Sequence, residues 1–72
     1  MLRLTDFDDC IVGVVERFGQ NAILCYSYEA VIRQLMKEGM TEEEAVEFYH
    51  YNQVGAYVGE DTPCFLHPYN PE

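Results

Sequence analysis

Gly39-Met40-Thr41-Glu42-Glu43-Glu44 fuses the end of one helix to the start of the next, and no other run restricts the fold as much. Glycine readily takes the left-handed conformation in which helices end, so Gly39 is a stop. Thr41-x-x-Glu44 is a capping box, and Met40 stands at the preceding position, placed to staple onto Ala45. With so short a junction, the two helices must form an angled or antiparallel pair. The second of them has an inner face of Ala45, Phe48, Tyr49 and Asn52 and an outer face of Glu43, Glu47 and His50. Asn52 is polar on an apolar face. Burying its amide unbonded would be costly, so it is expected to bond the backbone of the loop that follows.

Beyond Asn52 the helical pattern blurs. Val46, Val54 and Tyr57 would form a second apolar stripe if the helix continued, but Gly55 and Gly59 favour a shaped loop, GAYVGEDTP. Pro63 is tolerated at a first strand position, so Cys64-Phe65-Leu66 is predicted as a short strand. The tail from His67 is polar, rich in proline and expected to be loose.

Upstream, Tyr28, Val31, Ile32, Leu35 and Met36 form an apolar stripe behind the N-cap Ser27, predicting a helix over 28–38. The continuous apolar run 22–26 is too short for a helix and reads as a strand buried on both faces. Phe7, Cys10, Ile11, Val14, Val15 and Phe18 recur at helical spacing, with Asp6, Asp8 and Asp9 at the favourable end of the dipole. Despite its β-branched content, 7–18 is predicted as a helix closed by Gly19. Residues 1–4 alternate weakly, as a short edge strand would. The expected architecture is a small single α+β domain over 1–72, ordered over about 5–66. It has three helices on a two- or three-stranded sheet, in the order (β)-α-β-α-α-β. The last strand is expected to pair antiparallel with 22–26, although the long loop before it could reverse that.

Charge is distributed unevenly along the 72 residues. Five acids against three arginines give −2 over 1–36, and eight acids against Lys37 alone give −7 over 37–72, which together make −9. Direct nucleic-acid binding needs a basic face, and none is present. An acidic surface suits a basic protein partner. Nearly half of the residues are hydrophobic, which argues for a folded chain. No apolar run reaches membrane-spanning length and no leader pattern opens the chain, so a protein that stays inside the cell is expected. Cys10, Cys25 and Cys64 are odd in number and far apart. Reduced thiols are expected, with Cys10 and Cys25 buried.

Asp8-Asp9, Val12-Gly13, Gly19-Gln20, Tyr26, the G-M-T-x-E-E-A junction at Gly39–Ala45, Glu47, Asn52 and the G-A-Y-V-G-E-x-T-P run at Gly55–Pro63 resemble a recurrent group of small tailed-bacteriophage proteins. The resemblance covers about residues 6–66. It implies a viral origin and a place in the cytoplasm of the infected bacterial host, and no activity. Ser27 stands where the group has an aspartate, which is an equivalent cap. His50 stands where the group has an acidic or apolar residue, which weakens any functional case built on it.

Chemistry-bearing patterns are sparse. Glu47-x-x-His50 has the spacing of carboxylate-bridged metal helices, but such sites need two pairs turned inward, and this one faces outward. Asp6, Asp8 and Asp9 lack the glycine and distal glutamate of a calcium loop. Gly55-x-x-x-Gly59 could cradle an anion, yet no lysine follows, and Glu60 and Asp61 would repel a phosphate. Cys25 and Cys64 have no basic neighbour in sequence to activate a thiol. No catalytic residue, metal ligand or cofactor site is therefore assigned.

The expected function is binding of a host or viral protein through Glu43, Glu44, Glu47, Tyr51, Tyr57, Glu60 and Asp61, as an inhibitor or a DNA mimic. Gly39, Thr41, Asn52, Gly55, Gly59 and Pro63 are expected to be structural. A ligand- or metal-dependent activity at Gly55–Gly59 is the alternative. A core this thin also favours a homodimer, through Val46, Val54, Tyr57 and the strand edge at Pro63–Leu66.

Overall fold

The central strand, β2 (Ile23–Ser27), is buried on both faces, and the other elements are arranged about it. The computed structural model describes residues 2–54 and 59–69. Among them the order is a single 3-10 turn (Asp8–Cys10), β1 (Ile11–Val15), β2, α1 (Tyr28–Lys37), α2 (Glu42–Phe48), a π-helical turn (Tyr49–Val54) and β3 (Cys64–Leu66). The sheet order is β1-β2-β3. The class is α+β in one small domain, with two α-helices rather than three.

The missing helix is the one predicted over 7–18. Asp8 and Asp9 open only a 3-10 turn, with no side-chain cap, and the chain then extends as β1. The helical spacing there is real, but Ile11, Val12, Val14 and Val15 are β-branched and stiff at χ1, which favours the extended form. The deciding influence is tertiary. β2 needs a strand beside it, and β1 supplies one antiparallel, pairing Ile11 with Tyr26 and Val15 with Ile23, with an irregularity between Ile11 and Gly13. Gly19, predicted as a helix end, instead takes φ +73° in the turn between β1 and β2. Residues 2–4 form no strand. The backbone N–H of Leu4 donates to the Tyr26 hydroxyl at 2.8 Å.

Residues from Ser27 to Phe48 follow the predicted course. The Ser27 hydroxyl accepts from the Ala30 N–H at 3.2 Å and caps α1. Gly39 takes φ +109°, a conformation that a Cβ would strain. The Met40 N–H then returns to the Leu35 carbonyl at 3.3 Å. Both halves of the Thr41–Glu44 capping box are formed, at 2.9 and 3.2 Å. α1 and α2 pack together through a core of Val31, Ile32, Leu35, Ala45 and Tyr49, against Tyr26 from the sheet.

β3 runs parallel to β2, not antiparallel, with Cys25 beside Cys64, Tyr26 beside Phe65 and Ser27 beside Leu66. Two helices alone would deliver the chain antiparallel. Glu60 and Asp61, however, lie at the turn between β1 and β2, where two bonds hold them. One Arg17 Nη donates both to the Asn21 carbonyl at 2.9 Å and to the Glu60 carbonyl at 2.7 Å. The Asn21 amide donates to the Asp61 carboxylate at 3.3 Å. Pro63, buried, follows this clasp, so β3 sets out from the same end of the sheet as β2. No helix among the described residues is long and apolar enough to cross a membrane.

Candidate functional site

After α2 the helix widens into the π-helical turn Tyr49–Val54, and this turn sorts the aromatics to opposite sides. Single π turns are rare and recur at functional sites. Tyr49 turns fully inward and Tyr51 fully outward. Beside Tyr51 lies a groove of about 400 Å³ lined by Met40, Glu44, Glu47, Phe48, Tyr51 and Asn52. A second hollow on the other side of Glu47 is lined by Thr41, Glu42, Glu43 and Val46. Three of the residues predicted to bind a partner, Glu44, Glu47 and Tyr51, therefore share one groove, and Glu43 lies in the hollow next to it. Met40 and Phe48 supply an apolar floor that the sequence pattern did not assign to any site. Phe48 was read as part of the inner face and Met40 as a staple onto Ala45, so both had been given to the core.

Glu60 and Asp61 do not line this groove. The Arg17–Asn21 clasp holds them at the turn between β1 and β2, where Glu60 lines a separate cavity of about 440 Å³. Tyr57 and Gly55 lie outside the described residues, and so does most of the loop proposed as a ligand site. Gly59 takes φ +106°, and its carbonyl accepts from the Thr62 hydroxyl at 2.7 Å, closing a tight turn. Among the described residues, no group of three or more His, Cys, Asp or Glu could hold a metal ion. Glu47 and His50 are both exposed, as expected for the outer face.

Asn52 requires a correction. Its side chain is exposed, and its amide donates to the Phe48 carbonyl at 3.2 Å within its own helical turn. The widening to a π turn rotates it away from the buried face on which a regular helix would put it. Asn52→Ala should therefore change stability by no more than about 0.5 kcal/mol, like other exposed positions. A urea midpoint lowered as far as that of a core variant would show that the amide is buried after all.

His67 also departs from expectation, since the sequence placed it in a loose tail. Its ring stacks on Tyr28 with centroids 4.2 Å apart and planes at 17°. Its Nε2 lies 3.1 Å from the Tyr49 hydroxyl. Tyr49 meets Tyr28 and Phe65 edge-on at 4.8 and 5.1 Å, so one buried ring joins α1, the π turn and β3. Burial, and then the neighbouring Tyr28, push the Tyr49 phenol above its ordinary range. The phenol stays protonated at neutral pH and can donate to His67.

Cys10 and Cys25 are buried, as expected, and all three thiols are free. Burial pushes the Cys10 thiol up, with Asp9 adding to it and Arg33 opposing. Burial and then the Cys64 thiol raise Cys25. For Tyr49, Cys10 and Cys25 alike, the folded state favours the protonated form. The stability this contributes is complete below the ordinary thiol and phenol ranges, about pH 8.5 and 10, and is lost as pH rises past the raised values. The melting temperature should be level around neutrality and fall from about pH 9 upward. A melting temperature that rose between pH 8 and 11 would show that these groups are not buried as described.

Set against protein-family models, curated proteins and solved structures, the chain matches none of them.

Proposed function

We propose that this protein acts by binding a protein partner with a basic surface, without catalysis, as an accessory protein of a tailed bacteriophage in the host cytoplasm. The observation that carries this reading is the groove beside the π turn. Its Met40 and Phe48 floor suits the aliphatic stem of a lysine or arginine, while Glu44, Glu47 and the Tyr51 ring suit the cationic head. The excess of negative charge over 37–72 would steer such a partner towards the groove. Inhibition of a DNA-binding enzyme by imitation of nucleic-acid charge is one form that this takes.

The test is capture from host lysate, followed by titration of whatever stoichiometric partner is retained. Reversing two charges with Glu44→Lys and Glu47→Lys should weaken that complex by about 100-fold or more, because like charges are then opposed across the contact. Wild-type affinity should also fall as salt rises. A partner held equally well by the doubly reversed variant would sink the assignment of the groove.

A homodimer is the second reading, favoured by apolar side chains on the strands at both sheet edges. Val12 and Val14 on β1 are each 55% exposed, and Leu66 on β3 is 56% exposed. Exposed strand edges invite pairing with another chain. Sedimentation equilibrium at low micromolar concentration decides it. A monomer there would assign these edges to the heterologous partner.

A further inference from the structure

The parallel register places Cys25 and Cys64 side by side on β2 and β3, facing the same side of the sheet, although 38 residues separate them in the chain. Adjacent strands lie about 4.8 Å apart, inside the range of Cα separations that a disulfide can bridge. The two thiols differ in access. Cys25 is buried, while Cys64 is only partly covered and lines the cavity beside Arg17, Gln20, Gly59 and Pro63. Among the residues lining that cavity Arg17 is the cation, and Glu60 is an exposed acid beside it. Arg17 uses one Nη for the clasp, while its Nε is buried and has no hydrogen-bond partner among the described residues. An unsatisfied guanidinium N–H is costly to bury, and an anionic group bonded to it would remove that cost.

We propose that Cys64 and Cys25 form a dithiol site that reacts with a small anionic disulfide of the glutathione class, which Arg17 holds by its carboxylate. The Cys64 thiolate attacks one sulfur of the small disulfide. A Cys64–S–S–R bond forms, the S–S bond of the reagent breaks, and the first R–S⁻ leaves and takes up a proton. Cys25, as its thiolate, then attacks the Cys64 sulfur and expels the second R–S⁻, which is protonated in turn. The protein loses two electrons and two protons to give the Cys25–Cys64 disulfide, and the reagent becomes two thiols. In a reducing cytosol an excess of small thiol runs the same exchange backwards and returns the bond to two thiols. The product ties β3 covalently to β2.

The test uses the full native chain with glutathione disulfide, followed by intact-mass measurement and mapping of the thiols left after denaturation. The expected product is about 2 Da lighter, with only Cys10 open to alkylation. Cys25→Ser should stop at a mixed disulfide on Cys64, about 305 Da heavier. Where that variant does not fold, the peptide map of the wild-type product carries the same information. Wild-type protein that accumulates the mixed disulfide, or that reacts at Cys10 or only once unfolded, overturns the proposal. The role of Arg17 is read separately. Glutathione disulfide should react about tenfold faster than uncharged hydroxyethyl disulfide, relative to their rates with a free model thiol, because only the former offers a carboxylate. Equal relative rates would remove Arg17 from the site.

Discussion

Tyr49→Ala should cost about 3–5 kcal/mol, close to the whole stability of a domain this small. The ring is only 1% exposed and joins α1, its own π turn and β3. It is edge-on to Tyr28 in α1 and to Phe65 in β3, and its hydroxyl reaches His67. Truncation removes the buried ring and leaves a cavity that the short π turn cannot close by itself. Each aromatic pair adds about 0.5–1.5 kcal/mol beyond area, although the contributions will not sum. Tyr49→Phe keeps the ring and loses only the contact with His67, so it should cost about 1 kcal/mol. The two variants, compared by urea unfolding, separate packing from hydrogen bonding. If Tyr49→Ala proved as mild as Tyr49→Phe, the ring would not be the joint between helix and sheet described above.

What the sequence revealed and what it hid divides along a physical line. Local signals were sufficient wherever a residue's role is settled by its near neighbours. Ser27, Gly39, Thr41 and Glu44 act through bonds that span three or four positions, and each is found where its type and spacing put it. Residues 7–18 failed the same treatment because their spacing satisfies a helix while their environment demands a strand. The competing influence, an unpaired β2, lies a turn away and leaves no trace in a local window. The direction of β3 was hidden for a similar reason. It goes with Arg17 reaching Glu60 across 43 positions, and no periodicity records such a bond.

The site was legible in part. Glu44, Glu47 and Tyr51 were marked by charge and aromaticity, and the structure joins them in one groove. Glu60 and Asp61 carry the same marks but belong to the clasp beside Arg17. Charge in a sequence identifies which residues are solvated, not which share a face. The π turn was invisible because it differs from an α-helix by one residue per turn, and it alone moved Asn52 from the predicted core to the surface. Cys25 and Cys64 looked unrelated by spacing. Only the parallel register makes them neighbours.

Leu35→Ala should cost about 2–5 kcal/mol, and Met36→Ala no more than about 0.5 kcal/mol, although both belong to the same apolar stripe in the sequence. Periodicity places the stripe of α1 but not its centre. Leu35 is 1% exposed and sits among Val31, Ile32, Ala45 and Tyr49, whereas Met36 is 42% exposed at the margin. Alanine suits a helix interior, so neither change should weaken α1 itself, and the difference between them is a difference of packing. Deleting the Leu35 side chain loses transfer free energy and leaves a void between α1 and α2. Because the Leu35 carbonyl also accepts from the Glu38 and Met40 N–H groups, the junction around Gly39 restrains the backbone from moving in to fill that void. With a urea dependence of about 1 kcal/mol per molar, the midpoint should fall by about 2 M or more for Leu35→Ala and hardly move for Met36→Ala. Equal costs would mean that α1 presents a different face to α2, and the helix pair built on the Gly39–Thr41 junction would then have to be redrawn.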